Sequence, residues 1–409
     1  MKEIRRRKFS VTEGSQIIMR KLKAVLFALV NLLFGSLTVA AQSEPQATST
    51  GANVVEVPMI LRGSTPAVEV MVNGKGPFVF TIDTGAMGMA RADSSLVEAL
   101  KPPVIGKMRG GDGSGRSTSM DVVRLDSISF GGLQFNNVRA PTRDYNRSSG
   151  GARIDGILGF NLFSEYLLTL DFPAKRVRLE RGQSLRADAA DVIGYDGSGG
   201  IPVVEIAVGG RKLKGRIDTG NAIGEFVLPE SLVKKLPLAS EAVVVGRART
   251  VSSDVEIKVA RLKDSIRLGR FEFTEPRVVF PALTEDANIG SAALGEYVIA
   301  FDQKNSRLRL EHHARPKEPE PAVAAQVSEP RLYVGKFGSR TVSLQGRELY
   351  LQRQGGPKLK LLPVSEDVFT LEAFPDARLK FVRGVDGKIV ELHVLNMSGE
   401  WEKSAKELS

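Results

Sequence analysis

An all-β fold is predicted for this chain of 409 residues, and three features of the sequence predict it. Apolar and polar residues alternate over short runs bounded by glycine-rich turns, the period-two pattern of half-buried strands. Helical spacing is confined to pieces such as Ser94 to Leu100. The strand-and-turn pattern is also duplicated: Phe78-Val79-Phe80-Thr81-Ile82-Asp83-Thr84-Gly85-Ala86 is answered 135 residues later by Leu213-Lys214-Gly215-Arg216-Ile217-Asp218-Thr219-Gly220-Asn221. Two β-rich lobes and a smaller third β-unit follow from this pattern.

Residues 1–41 read as an export signal. Met19-Arg20-Lys21-Leu22-Lys23 is basic, Ala24 to Ala41 carries no charge, and Val39-Ala40-Ala41 supplies the small residues of a cleavage site, placing cleavage after Ala41. An uncleaved anchor is the alternative; eighteen uncharged residues interrupted by Asn31, Gly35 and Ser36 are short for a span. The expected location is therefore secreted or periplasmic, with the membrane involved only through this signal. Residues 42–53 are polar and aperiodic and read as a leader.

The first lobe is expected over residues 54–180. Ala67-Val68-Glu69-Val70-Met71-Val72 alternates into an Asn73-Gly74 hairpin turn and leads to Asp83. Lys107 to Arg116 contains Gly110, Gly111, Asp112, Gly113, Ser114 and Gly115, the composition of a hairpin tip; it lacks the Gly-Lys-Ser/Thr ending of a phosphate loop. Residues 181–200 form an inter-lobe linker, and the second lobe is expected over residues 201–311. It repeats the alternating strand as Val203 to Gly210. Leu170-Asp171 to Glu180 is answered by Phe301-Asp302 to Glu311, and Ile157-Leu158-Gly159 is paired with Ala293-Leu294-Gly295. Residues 312–330 form a proline-stiffened linker. Residues 331–409 alternate again over Val342–Leu344, Leu349–Leu351, Leu359–Leu361, Val368–Leu371, Leu379–Phe381 and Ile389–Leu392.

Composition excludes several chemistries. The formal charge is +10, but residues 1–23 hold eight basic and two acidic side chains, leaving +4 for the rest; no nucleic-acid partner is implied. The chain has no cysteine, which removes thiol nucleophiles, thiolate metal sites and disulfides. Its three histidines, His312, His313 and His393, come without a Gly-x-Ser-x-Gly elbow, and His312 and His313 fall at the start of a linker. Serine catalysis, a metal and any other cofactor are not expected.

Asp83-Thr84-Gly85-Ala86 with Ile157-Leu158-Gly159, and Asp218-Thr219-Gly220 with Ala293-Leu294-Gly295, resemble the paired signatures of the retropepsin-like and pepsin-like aspartic proteases. The resemblance covers about residues 54–311 and is closest to bacterial members with both half-sites on one chain. It implies two homologous acid-protease β-barrel lobes related by a pseudo-two-fold axis, paired within a monomer. It also implies that the hydrophobic-hydrophobic-Gly segments pack beside the aspartate loops, and that Gly110 to Gly115 is a flap over a polypeptide substrate. The C-terminal unit, opening with Tyr333-Val334-Gly335-Lys336-Phe337, resembles a lipocalin-like accessory β-domain.

Peptide hydrolysis without a metal or covalent nucleophile needs one group to take a proton from water and another to give one to the carbonyl oxygen. Two adjacent carboxylates cannot both ionise cheaply, so they share a proton and offer both roles. Asp83 and Asp218 are the expected catalytic pair. Thr84 and Thr219 are expected to fix the two loops, Gly85 and Gly220 to permit close approach, and Ala86 and Asn221 to flank the carboxylates; Asn221 departs from the family pattern, its amide either a donor to Asp218 or the mark of a weakened site. The alternative is a non-catalytic protein that binds peptides or an envelope component on a degenerate acid-protease fold.

Overall fold

The computed structural model describes residues 48–111, 117–146, 153–222, 224–239, 241–249, 254–281, 286–313, 327–395 and 401–407. The export signal expected over residues 1–41 lies outside them. The chain is almost entirely β, with Ser94–Leu100 the one α-helix among the described residues. That helix is started by Asp93, whose carboxylate accepts from Ser95 N, and stopped by Lys101 in the left-handed region.

The first sheet has nine strands. Its order is Thr48–Gly51, Leu133–Arg143, Ala90–Asp93, Gly156–Gly159, Lys75–Asp83, Thr65–Val72, Ser117–Phe130 and Val104–Gly111, with Ile60–Arg62 against Thr65–Val72. Leu133–Arg143 also pairs with Ser117–Phe130, so six strands close on themselves as a barrel. The alternation that predicted these strands is visible in their burial: Val68, Val70 and Val72 are in the core and Glu69 is exposed.

A second nine-stranded sheet repeats this arrangement around Arg211–Asp218, with Ala287–Gly290 on one side and Val203–Val208 on the other. Both lobes have a hairpin at the corresponding place, Val104–Gly111 with Ser117–Phe130 and Val243–Arg249 with Asp254–Arg261.

A six-stranded sheet joins the lobes, in the order Val192–Gly194, Arg307–His312, Tyr297–Asp302, Tyr166–Asp171, Arg176–Arg181 and Val54–Pro58. At its centre Tyr166–Asp171 runs antiparallel to Tyr297–Asp302, with Thr169 level with Ala300. One hydrophobic core continues through both lobes, and Phe160 meets Phe301 edge-on at 5.3 Å between ring centres.

Two sequence expectations need correction here. The leader read over residues 42–53 ends in a strand, since Thr48–Gly51 pairs with Leu133 to Asn136. It is a largely exposed edge strand held by backbone hydrogen bonds, so it needs no apolar face and shows no periodicity. The linker read over residues 181–200 likewise contains Val192–Gly194, which pairs with Arg307 to Arg309.

Residues from Gly335 to Ala405 form a separate eight-stranded sheet in sequence order, and a bridge between Phe337 and Lys406 brings its two ends together. Each of the six alternating runs read from the sequence lies within one of its strands. Tyr333, Phe337, Phe369 and Phe381 pack edge-to-face in its interior.

Candidate active site

Each candidate carboxylate stands at the last residue of a strand, Lys75–Asp83 or Arg211–Asp218. A parallel neighbour supports each strand to its end: Gly159 is level with Asp83, and Gly290 with Asp218. Beyond that point the chain turns at once, with Ala86 N bonded to Asp83 O at 3.2 Å and Asn221 N to Asp218 O at 3.1 Å. The aspartates cap their own turns, Asp83 Oδ1 accepting from Gly85 N at 2.9 Å and Asp218 Oδ1 from Gly220 N at 3.1 Å.

The two turns grip each other. Thr84 Oγ1 donates to Ile217 O at 2.7 Å and accepts from Thr219 N at 3.1 Å. Thr219 Oγ1 donates to Ile82 O at 2.7 Å and accepts from Thr84 N at 3.0 Å. Both threonines are fully buried, so these four bonds satisfy groups that water cannot reach.

The grip brings the carboxyls together. A Cβ added to Gly85 would lie 2.3 Å from Asp218 Cγ, and one added to Gly220 would lie 2.3 Å from Asp83 Cγ. Each carboxyl fills the space that a side chain would take on the opposite loop, so the Gly of each triplet makes room for the other lobe's Asp.

Burial raises the proton affinity of Asp83 most; the neighbouring Asp218 charge and a hydrogen bond to Asp218 add to it, against the opposing pull of Arg91 and the Gly85 N–H. The result is a carboxyl pushed up to about 7. The two carboxyls lie within hydrogen-bond reach of one another, so a proton held on Asp83 has Asp218 as its neighbouring acceptor.

Outside this shared centre the half-sites differ. Asn288 Nδ2 donates to Asp218 Oδ2 at 2.7 Å, and Asn221 Nδ2 donates to Asn288 Oδ1 at 2.8 Å. The Asn221 amide, expected to donate to Asp218, thus reaches it through Asn288. The equivalent positions beside Asp83 are Ala86 and Ile157, neither of which carries a side-chain donor. Arg91 lies level with Ile157, whereas Val227 lies level with Asn288.

Sequence reasoning placed Asp83, Asp218, Thr84, Thr219, Gly85, Gly220, Ala86, Asn221, Ile157, Leu158 and Gly159 in one neighbourhood, and the structure brings them together. It does not place Ala293, Leu294 and Gly295 beside Asp218. Ala293 and Leu294 sit in the 3-10 turn Ser291–Leu294 and face the hydrophobic core, while Gly295 caps that turn. The segment equivalent to Ile157-Leu158-Gly159 is Asn288-Ile289-Gly290, fixed by its parallel register with Arg216, Ile217 and Asp218. Gly290 approaches the loop so closely that a Cβ there would stand 2.3 Å from Gly224 O.

A spacing in the sequence would have revealed this. Tyr166 follows Gly159 by seven residues, as Tyr297 follows Gly290. Leu294-Gly295 repeats the letters of Leu158-Gly159 without holding their place in the sheet, and nothing in that match points to Asn288. Of the flap residues, Gly110 and Gly111 end one arm of a hairpin, level with Thr118 and Ser117. Asp112, Gly113, Ser114 and Gly115 lie outside the described residues.

Residues 68–162 match the model of the aspartyl protease family. The match takes in Asp83 and Ile157-Leu158-Gly159 and ends before the second half-site. No curated protein matches the chain.

Proposed function

We propose that this chain is an exported aspartic endopeptidase that hydrolyses polypeptides with a water held between Asp83 and Asp218. The reciprocal seating of the two carboxyls carries this reading: each occupies the Cβ space of the opposite glycine, under a buried threonine grip that a mere turn would not require. The aspartyl protease match over the first half-site supports the same chemistry.

In the proposed reaction one carboxylate takes a proton from the water as its oxygen bonds to the peptide carbon. The protonated partner gives its proton to the carbonyl oxygen, forming a neutral tetrahedral diol. Collapse returns a proton from the diol to one carboxylate and delivers the other proton to the departing nitrogen. The C–N bond breaks and the dyad regains its single proton. The Asp83 value near 7 keeps that proton in place from acid to nearly neutral conditions.

The reading includes export through residues 1–41 and pairing of the lobes in one monomer. Residues 331–409 are proposed as an accessory unit without catalytic groups.

The test is hydrolysis of an unfolded protein substrate, with products read by mass spectrometry. Wild type is expected to cut internal bonds, and Asp83→Asn and Asp218→Asn to lose at least about 10³-fold in rate while keeping their thermal midpoints within a few degrees. Equal cutting by both variants, or none by wild type from acid to neutral pH, would refute it.

A further inference from the structure

The asymmetry around the dyad lies one residue beyond the shared triplets. Asp218 Oδ2 accepts an N–H from Asn288, and Asn288 Oδ1 in turn accepts one from Asn221. Because the Asn221 bond occupies the oxygen end of the Asn288 amide, its nitrogen end is turned to Asp218. An amide nitrogen donates only, so the facing oxygen must offer a lone pair rather than a proton. Asp83 has Ile157 and Ala86 in the equivalent places, and neither side chain carries a donor.

Resting on the reading of Asp83 and Asp218 as a catalytic dyad, we propose that Asn288, oriented by Asn221, fixes the polarity of the pair: Asp218 keeps its charge and deprotonates the water, while Asp83 carries the shared proton. In the first step the water oxygen bonds to the peptide carbon, its proton passes to Asp218, and the Asp83 proton passes to the carbonyl oxygen. Asn288 is a positioning residue, since it touches the base and not the substrate.

The other ionisable groups around the dyad leave this direction in place. Arg91, level with Ile157, acts on Asp83 through space and opposes protonation there, but the opposing effects of burial and of Asp218 are larger. Tyr145, near Arg91, has its hydroxyl raised by burial and stays neutral. On the other side Arg216 lies level with Asn288, two residues before Asp218, and adds positive charge to the strand that carries the ionised partner. Glu225, whose carbonyl accepts Gly290 N, has its carboxylate on Arg277 N.

The test reads proton location directly. The full chain is labelled with aspartate carrying ¹³C at the carboxyl carbon, and the two signals are assigned by Asp83→Asn and Asp218→Asn. Near pH 5 to 6, below the raised Asp83 value of about 7, the wild-type Asp83 carbon is expected at a protonated shift and Asp218, held by the Asn288 N–H, at an ionised one. In Asn288→Ile, which copies the residue at the mirror position, the two shifts are expected to converge. The acid limb of kcat/KM should move up by about one pH unit and the maximum fall about tenfold. Asn221→Ala should move both in the same direction by less.

Equal shifts in wild type, the reverse order, or an unchanged pattern in Asn288→Ile would overturn the proposal. If wild type cuts no peptide yet shows the proton on Asp83 and loses that order in Asn288→Ile, the peptidase reading fails and the polarity stands. If wild type cuts but the order is absent, the peptidase reading stands and the polarity fails.

Discussion

The loop at Asp83 and the loop at Asp218 agree in every contact made within and between the two Asp-Thr-Gly triplets and differ in what the residues just outside bring to each carboxyl, Asn288 bonding Asp218 alone. Within the triplets the correspondence runs atom for atom: the same cap from the glycine N–H, the same pair of threonine bonds, and the same seat for the opposing carboxyl. In the next ring Ala86 faces Asn221 as its equivalent, Ile157 faces Asn288, and Thr81 faces Arg216. Symmetry is held where two loops must grip one another, because each bond serves both. It is relaxed where a residue serves its own carboxylate alone, and there a dyad that must hold one proton on two oxygen pairs can be biased.

The largest predicted effects test the symmetric part. Gly85→Ala and Gly220→Ala each drive a methyl into the opposing carboxyl, so hydrolysis should fall by about 10³-fold and stability by about 1–3 kcal/mol, measured by urea unfolding. The two should be alike; a variant that keeps its activity would show that the carboxyls can separate without loss.

Next come the threonines. Thr84→Val leaves Thr219 N and Ile217 O buried without partners and should cost about 2–4 kcal/mol, with Thr219→Val similar. The corresponding serine variants keep the hydroxyl and should stay within about 1.5 kcal/mol of wild type. Because the four bonds form one network, the double valine variant should cost less than the sum of the singles.

A smaller contrast sharpens the register of the second lobe. Gly290→Ala puts a Cβ against Gly224 O and should cost about 1–3 kcal/mol. Gly295→Ala meets nothing nearer than Ala292 O at 3.7 Å and should fall within about 0.5 kcal/mol of wild type. The opposite ranking would mean that Ala293-Leu294-Gly295 is the segment beside Asp218 after all.

The sequence made the all-β class legible through period-two alternation, because most strands bury one face and expose the other. It made the centre of the site legible through repetition, since the two triplets must be alike to grip. It was silent where structure depends on backbone pairing alone. Thr48–Gly51 is an edge strand with no apolar face, and Val192–Gly194 is too short to show a period. It misled where local identity outranked register. Leu294-Gly295 copies Leu158-Gly159 in letters, while Ile289-Gly290 copies it in space, and Asn288 came into view only with the parallel pairing to Arg216.

The most direct test of the central claim, that Asp83 and Asp218 share one proton and act together on water, is the pH dependence of kcat/KM for a single peptide substrate. The single-proton form exists between the two titrations of the pair, and the upper one is set by the raised Asp83 carboxyl at about 7. The account predicts a bell whose alkaline limb falls through about pH 7 and which vanishes in Asp83→Asn and Asp218→Asn. A rate that holds undiminished to pH 9, well beyond that limb, or a bell that survives in either variant, would contradict it.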